Sequence, residues 1–177
     1  MANIDNPSGF MPYSSPHGGS GQPTVTEHLL LAANAVIGVG DLVSVQAGGV
    51  DKLTGNGAAL GIAAEAKAAS SSDSTIKVWS DPQQLFVGQT DDGTGTATAA
   101  SAIGLNIDPV DGSASNGRSI QELDEDTAAD TATLVFKIIA LSDEYQGGVK
   151  NAHGEFNRLV VKINNHQLQG HTGTAGA

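Results

Sequence analysis

Short apolar segments alternate with polar, glycine-rich runs along most of this chain. In the segment 75–79, Ile76 and Val78 fall on one face and Lys77 falls on the other. Because side chains alternate between the two faces of a β-strand, this period of two predicts strands. The predicted strands are 25–31, 41–46, 50–53, 60–65, 75–79, 85–87, 103–107, 134–141 and 156–163.

Turn residues separate these segments. Asn56-Gly57 favours a tight turn because both residues tolerate positive φ, so a hairpin is predicted there. The glycine spacing around it misses that of a dinucleotide-binding loop. Asp108-Pro109 is expected to end the strand at 103–107, and the alanine-rich segment 58–69 leaves a helix open as an alternative to a strand. Short strands joined by turns predict an all-β fold, either a small β-barrel or a sandwich.

The distribution of proline and glycine predicts the domain organisation. Residues 1–25 are rich in both and form an extended N-terminal arm, which is either an unanchored terminus or a docking arm. Residues 26–168 form the β domain, within which 91–130 is interpreted as a loop-rich insertion. The wider region of about 91–155 is either an insertion or a second β-subdomain. Residues 169–177 form a flexible C-terminal tail.

The amino-acid composition argues against several classes of function. The formal net charge is −11, with 8 Lys and Arg against 19 Asp and Glu. Because phosphate binding depends on basic side chains, we expect no direct contact with nucleic acid. No run of about 18 apolar residues is present, so no membrane span is expected. The absence of cysteine excludes disulfides and thiolate catalysis.

Motifs for catalysis are absent, so we expect neither an enzyme nor a cofactor. The acidic segments 122–126 and 91–93 could suit calcium, but they lack the layout of an EF-hand loop, and a solvated acidic turn is the preferred interpretation. The histidines are expected to be exposed or hydrogen-bonded rather than metal ligands. They are His17, His28, His153, His166 and His171.

The two ends of the chain resemble the ends of proteins of a known family. The opening MANIDNPSGF resembles the start of many phage head-associated proteins, and the segment LVVKINNHQL at 159–168 resembles their end. Between them, the segments 41–45, 61–64 and 76–79 resemble the order of strands in lambda-type head decoration proteins. That family implies a small β-barrel known as a β-tulip.

The resemblance also implies a function. Family members are capsid cement proteins, which are synthesised in the host cytoplasm and bind the outer surface of the expanded head of a tailed phage. They commonly bind the major capsid protein as homotrimers. For this chain a homodimer is the alternative oligomeric state. Their N-terminal arm often orders on binding and adds a strand to the capsid protein. The capsid-binding residues expected on this basis are Ile4, Pro7, Phe10, Pro12 and Tyr13, with Ile4 and Phe10 as apolar anchors.

Deletion of residues 1–20 is accordingly expected to leave a soluble fold that attaches more weakly to heads. The alternative function is a surface-exposed β-domain that binds a host surface or a carbohydrate. In that case Tyr13, Trp79 and Tyr145 would form the contact surface.

Overall fold

The computed structural model describes residues 3–13, 23–92, 95, 97 and 99–169, which are built almost entirely from strands. Short 3-10 turns occur at Ala100–Ala102 and Gln167–Gln169. The all-β prediction is confirmed. The strands are β1 (Met11–Pro12), β2 (Val25–Leu29), β3 (Leu42–Gln46), β4 (Gly49–Lys52), β5 (Gly61–Ala63), β6 (Thr75–Trp79), β7 (Leu85–Gln89), β8 (Asn106–Val110), β9 (Glu122–Ala129), β10 (Phe136–Leu141), β11 (Tyr145–Gln146), β12 (Val149–Lys150) and β13 (Arg158–Ile163).

Two antiparallel sheets form a sandwich. The six-stranded sheet has the order β1-β7-β13-β10-β8-β9, and the five-stranded sheet has the order β2-β6-β5-β3-β4. Strands β11 and β12 form a separate hairpin. The smaller sheet curls until Leu30, just after β2, forms a bridge with Val50 of β4, but no closed barrel is present in the described part of the chain.

The main core lies between the sheets. Leu42 and Ile62 from the smaller sheet pack with Phe86, Leu159 and Val161 from the larger one, and all five are fully buried. The prediction that Leu159, Val161 and Ile163 share one face is confirmed by their common place in this core.

A second core lies on the opposite face of the curled sheet. It contains Val43, Ile76 and Val78, which confirms that Ile76 and Val78 share a face. Both faces of this sheet are therefore covered at its centre, where all three residues of β5 are buried.

Three sequence-based interpretations are corrected. The segment 55–57 is a bend but not a hairpin, because β4 and β5 pair with opposite sides of β3. Asp108 and Pro109 lie within β8 rather than ending a strand, and the strand predicted at 103–107 begins only at Asn106 and continues to Val110. Buried Asp108 is accommodated because its Oδ1 accepts the Val135 N–H at 2.9 Å.

The described residues of the segment 91–130, which was interpreted as a loop-rich insertion, are part of the sandwich. They contribute β8 and β9 to the larger sheet, where β8 pairs with β10 and β9 forms the edge. The segment 58–69 contains β5, so the strand interpretation is the correct one there.

Candidate functional site

Residues 3–13 of the N-terminal arm run along the edge of the larger sheet of their own β domain. At its start, the Asn3 Nδ2 amide donates to the carbonyls of Ala152 and Glu155 at 2.9 and 2.7 Å. The Asn3 Oδ1 accepts the Ala152 N–H at 3.1 Å. One polar side chain thus attaches the beginning of the arm to the loop before β13.

Two further side chains hold the middle of the arm. The Asn6 N–H donates to Gln89 Oε1 and the Arg158 guanidinium donates to the Asn6 carbonyl, each at 3.3 Å. Gln89 and Arg158 face each other in the β7–β13 pairing. The sheet therefore presents both a donor and an acceptor to the same arm residue.

Phe10 ties the arm to the main core. Its side chain is fully buried, and its ring centroid lies 4.5 Å from that of Phe136. A Cβ at position 88 would lie 2.7 Å from the Phe10 ring, so Gly88 leaves the space that the ring fills. Phe10 is an apolar anchor for its own chain, and the expectation that it is available to a partner does not hold in this conformation.

The arm ends as an edge strand. Met11 and Pro12 pair with Val87 and Phe86, and the Tyr13 N–H donates to the Leu85 carbonyl at 2.9 Å. The Tyr13 hydroxyl donates to Asp143 Oδ1 at 3.2 Å. Because Pro12 has no N–H, this strand forms only a short ladder, as its proline content suggested.

The arm also presents apolar surface to solvent. Ile4 is 38% exposed and Met11 is 37% exposed. Pro7, Pro12 and Tyr13 are partly buried. Of the five residues predicted to bind a capsid, Ile4 is thus the most accessible apolar side chain. Residues 14–22 of the predicted arm and 170–177 of the predicted tail lie outside the described residues.

Six carboxyl groups, which we call the acidic cluster, meet beside the arm: Asp5, Asp91, Asp92, Glu122, Asp124 and Glu125. The Gln89 amide bridges Asp5 Oδ1 and Glu122 Oε1 at 3.1 and 3.4 Å. The backbone N–H groups of Asp92 and Gly95 donate to the Glu125 carboxylate at 3.0 and 3.3 Å. The acidic segment is therefore a strand with buried Leu123 and Glu125, and its interpretation as a solvated turn is wrong.

Burial perturbs these acids. It raises the pKa of Glu122 to about 7, with further contributions from the negative charges of Asp5 and Asp91. Burial also raises the pKa of Glu125 to about 7, assisted by hydrogen bonds with the carboxyl groups of Asp92 and Asp91. Burial also raises the pKa of Asp124, and the negative charge of Asp91 adds to this effect. The cluster therefore holds protons near neutral pH.

The described residues contain no group of three or more His, Asp or Glu side chains arranged to hold a metal ion. His166, one of the predicted exposed or hydrogen-bonded histidines, is 2% exposed, and its Nδ1 accepts the Leu168 N–H at 3.1 Å. Burial lowers the pKa of His166 to about 4. This imidazole is neutral at physiological pH.

The aromatic side chains of the alternative function differ in exposure. Trp79 is partly buried and packs against the main core. Tyr145 is 68% exposed on the β11–β12 hairpin.

The contacts made by Asn3, Gln89 and Arg158 were not predicted from the sequence. Asn and Gln occur throughout the chain, and no spacing distinguishes those that hold the arm. Only Arg158 could have been singled out from the sequence, because an arginine at the start of a largely buried strand needs polar partners.

Comparison with known proteins gives no relative: no family model, curated protein or solved structure matches the chain. Within the described residues, no helix has the length and apolar character needed to cross a membrane.

Proposed function

We propose that this protein is a capsid decoration protein that binds the outer surface of an expanded phage head and stabilises the junctions between capsomers. Its partner is the major capsid protein, and it binds as a homotrimer, with a dimer as the alternative. The observation that supports this proposal best is the arm, which follows the outside of the sandwich and leaves apolar surface exposed at Ile4 and Met11.

The arm offers a physical route to attachment. Strand β1 is at the edge of the six-stranded sheet, where an extended partner segment can add main-chain hydrogen bonds. Exposed Ile4 lies beside Val149 and Arg158, where a partner side chain can be partly desolvated. A modest interaction free energy per copy then gives a large total stabilisation of the head, because it is repeated at many identical sites.

Binding of this kind stabilises the head by mass action. A protein that binds the intact lattice, and not the separated capsomers, shifts the equilibrium toward the intact lattice. The net charge of −11 suits a position outside a container of DNA, because the chain and the nucleic acid repel each other.

The experiment that tests this proposal is sedimentation of purified protein with heads assembled without it. Bound copies are counted on a quantitative gel. Ile4→Asp should reduce occupancy, because it puts a charge into the proposed contact. Leu29→Asp is the matched control: Leu29 is 68% exposed on β2 in the other sheet, and the charge change is the same.

We expect wild-type protein and Leu29→Asp to saturate the heads and Ile4→Asp to bind less at equal concentration. Circular dichroism and sedimentation without heads establish that all three are folded. Wild-type protein that stays in the supernatant would refute the function. Equal binding by Ile4→Asp would refute the role of the arm alone.

A further inference from the structure

A buried lysine links the two sheets at a place far along the chain from the arm. Lys52, the last residue of β4, has a side chain that is 6% exposed. It lies between Asp41, whose side chain is fully buried, and Asp111, which follows β8 and is 46% exposed. Burial of an amine is costly unless its partners compensate, so this arrangement is not that of an ordinary surface ion pair.

The distances place the amine against a carboxyl group. Lys52 Nζ lies 3.0 Å from Asp111 Oδ1 and 3.9 Å from Asp41 Oδ1, and it also donates to the Gly112 carbonyl. Holding two reacting groups at contact distance raises their effective concentration by orders of magnitude. The nitrogen is therefore held within hydrogen-bonding distance of the Asp111 carboxyl group.

Asp41 is suited to move protons. Its Oδ2 accepts the Gly38 N–H at 2.7 Å, which fixes the carboxylate, while its Oδ1 lies 3.9 Å from the amine, within ion-pair range but beyond hydrogen-bond distance. Burial raises the pKa of Asp41, an effect opposed by hydrogen bonds from Ser119 and Gly38 and by the Lys52 charge. A carboxylate with a raised pKa accepts a proton more readily from an ammonium group.

Gln121 completes the site. Its Oε1 accepts the Leu42 N–H at 2.7 Å, and its Nε2 lies 3.3 Å from the Leu53 carbonyl and 3.5 Å from Asp111 Oδ1. These contacts orient the amide so that its N–H faces Asp111. A fixed donor in this position stabilises negative charge that develops on the carboxyl oxygen during attack.

We propose that Lys52 and Asp111 condense into an intramolecular isopeptide bond, with Asp41 as the proton carrier. Asp41 takes a proton from the Lys52 ammonium, and the nitrogen lone pair attacks Cγ of Asp111. The new N–C bond forms and one C–O bond breaks, and that oxygen leaves as water with two protons that came from the nitrogen. Ammonium and carboxylate thus give amide and water, without an oxidant or other reactant.

The bond would join β4 of the smaller sheet to the segment after β8 of the larger sheet. A covalent link between sheets restricts the unfolded chain and so stabilises the sandwich, as a disulfide does in proteins that have cysteine. This inference is independent of where the protein binds.

The test is the intact mass of the purified, folded full-length chain, followed by peptide mapping. We expect the mass to fall short of the sequence mass by one water, and a branched peptide to contain Lys52 and Asp111. Asp111→Ala should have its full sequence mass. Asp41→Asn should lose water more slowly than wild type.

Asp111-Gly112 could also lose water by closing a backbone succinimide, so Lys52→Arg is the decisive control. It keeps the positive charge but removes the nucleophilic amine, and a succinimide would still form. Water loss that persists in Lys52→Arg overturns the proposal. So does a folded wild-type chain that keeps its full mass after prolonged incubation, which would leave an ion pair only.

Discussion

The burial of Phe10 in the main core determines where the N-terminal arm packs. In the sequence this residue lies among prolines and polar residues, in a segment with no strand period. In the structure it fills the space above Gly88 and packs on Phe136 in the main core. The sequence suggested an apolar anchor for a capsid, whereas in the structure the ring is buried in the core of its own chain.

Phe10→Ala should lower the free energy of unfolding by about 3–5 kcal/mol, because it removes a buried ring and leaves a cavity. Denaturant unfolding followed by circular dichroism measures this change. Met11→Ala is the control, since Met11 is 37% exposed, and it should change stability little. A similar small effect at both positions would show that Phe10 does not contribute to the core.

This result also changes the truncation experiment. Deletion of residues 1–20 removes Phe10 together with β1, so loss of head binding by that variant would not separate attachment from stability. Substitution of exposed Ile4 avoids the difficulty.

At the scale of elements, strands with a clear period of two were predictable and the acidic strand was not. β6 and β13 have apolar side chains at alternate positions, and their buried faces are the predicted ones. β9 has acids at 122, 124, 125 and 126, and charge runs are usually solvated. Its burial depends on Gln89 and on the backbone N–H groups of 92 and 95, and contacts so distant in sequence leave no local pattern.

The position of the arm was unpredictable for a similar reason. Its polar attachments pair residues more than eighty positions apart, such as Asn6 with Gln89 and Asn3 with Ala152. The arm and its apolar residues could therefore be predicted from the sequence. The contacts that each of these residues makes are known only from the structure.

The acidic cluster makes stability depend on pH. Glu122 and Glu125 have an ordinary pKa of 4.5, raised to about 7 in the folded protein. Between these values the folded state binds more protons than the unfolded state, so the stability from these groups is lost as pH rises through about 7. We therefore expect the free energy of unfolding to fall between pH 5 and about 8.

Glu125→Gln should flatten this pH dependence, because the amide cannot ionise. Glu155→Gln is the control, since Glu155 is exposed and lies outside the acidic cluster. Denaturant midpoints measured across the pH range test both variants. A wild-type midpoint that rises with pH through neutrality would contradict this account of the cluster.

At the scale of the whole molecule, the all-β class followed from composition and turn spacing, whereas the choice between barrel and sandwich did not. That choice depends on how β8 and β9 join the larger sheet and on how far the smaller sheet curls at Leu30 and Val50. Both are long-range pairings. The folded chain is acidic and has its arm fixed along one edge of the larger sheet. Both features are compatible with the proposed place on the outside of an assembled shell.

If the proposed function is right, this chain is part of a phage head, and the most direct test is an electron cryomicroscopy map of that phage. We predict a density that fits the two-sheet sandwich on the outer surface of the head, in trimers at the three-fold and quasi-three-fold junctions, with the arm against the major capsid protein. The proposed function would be contradicted by a head whose outer surface carries no such density, or by a map that places the sandwich on the tail.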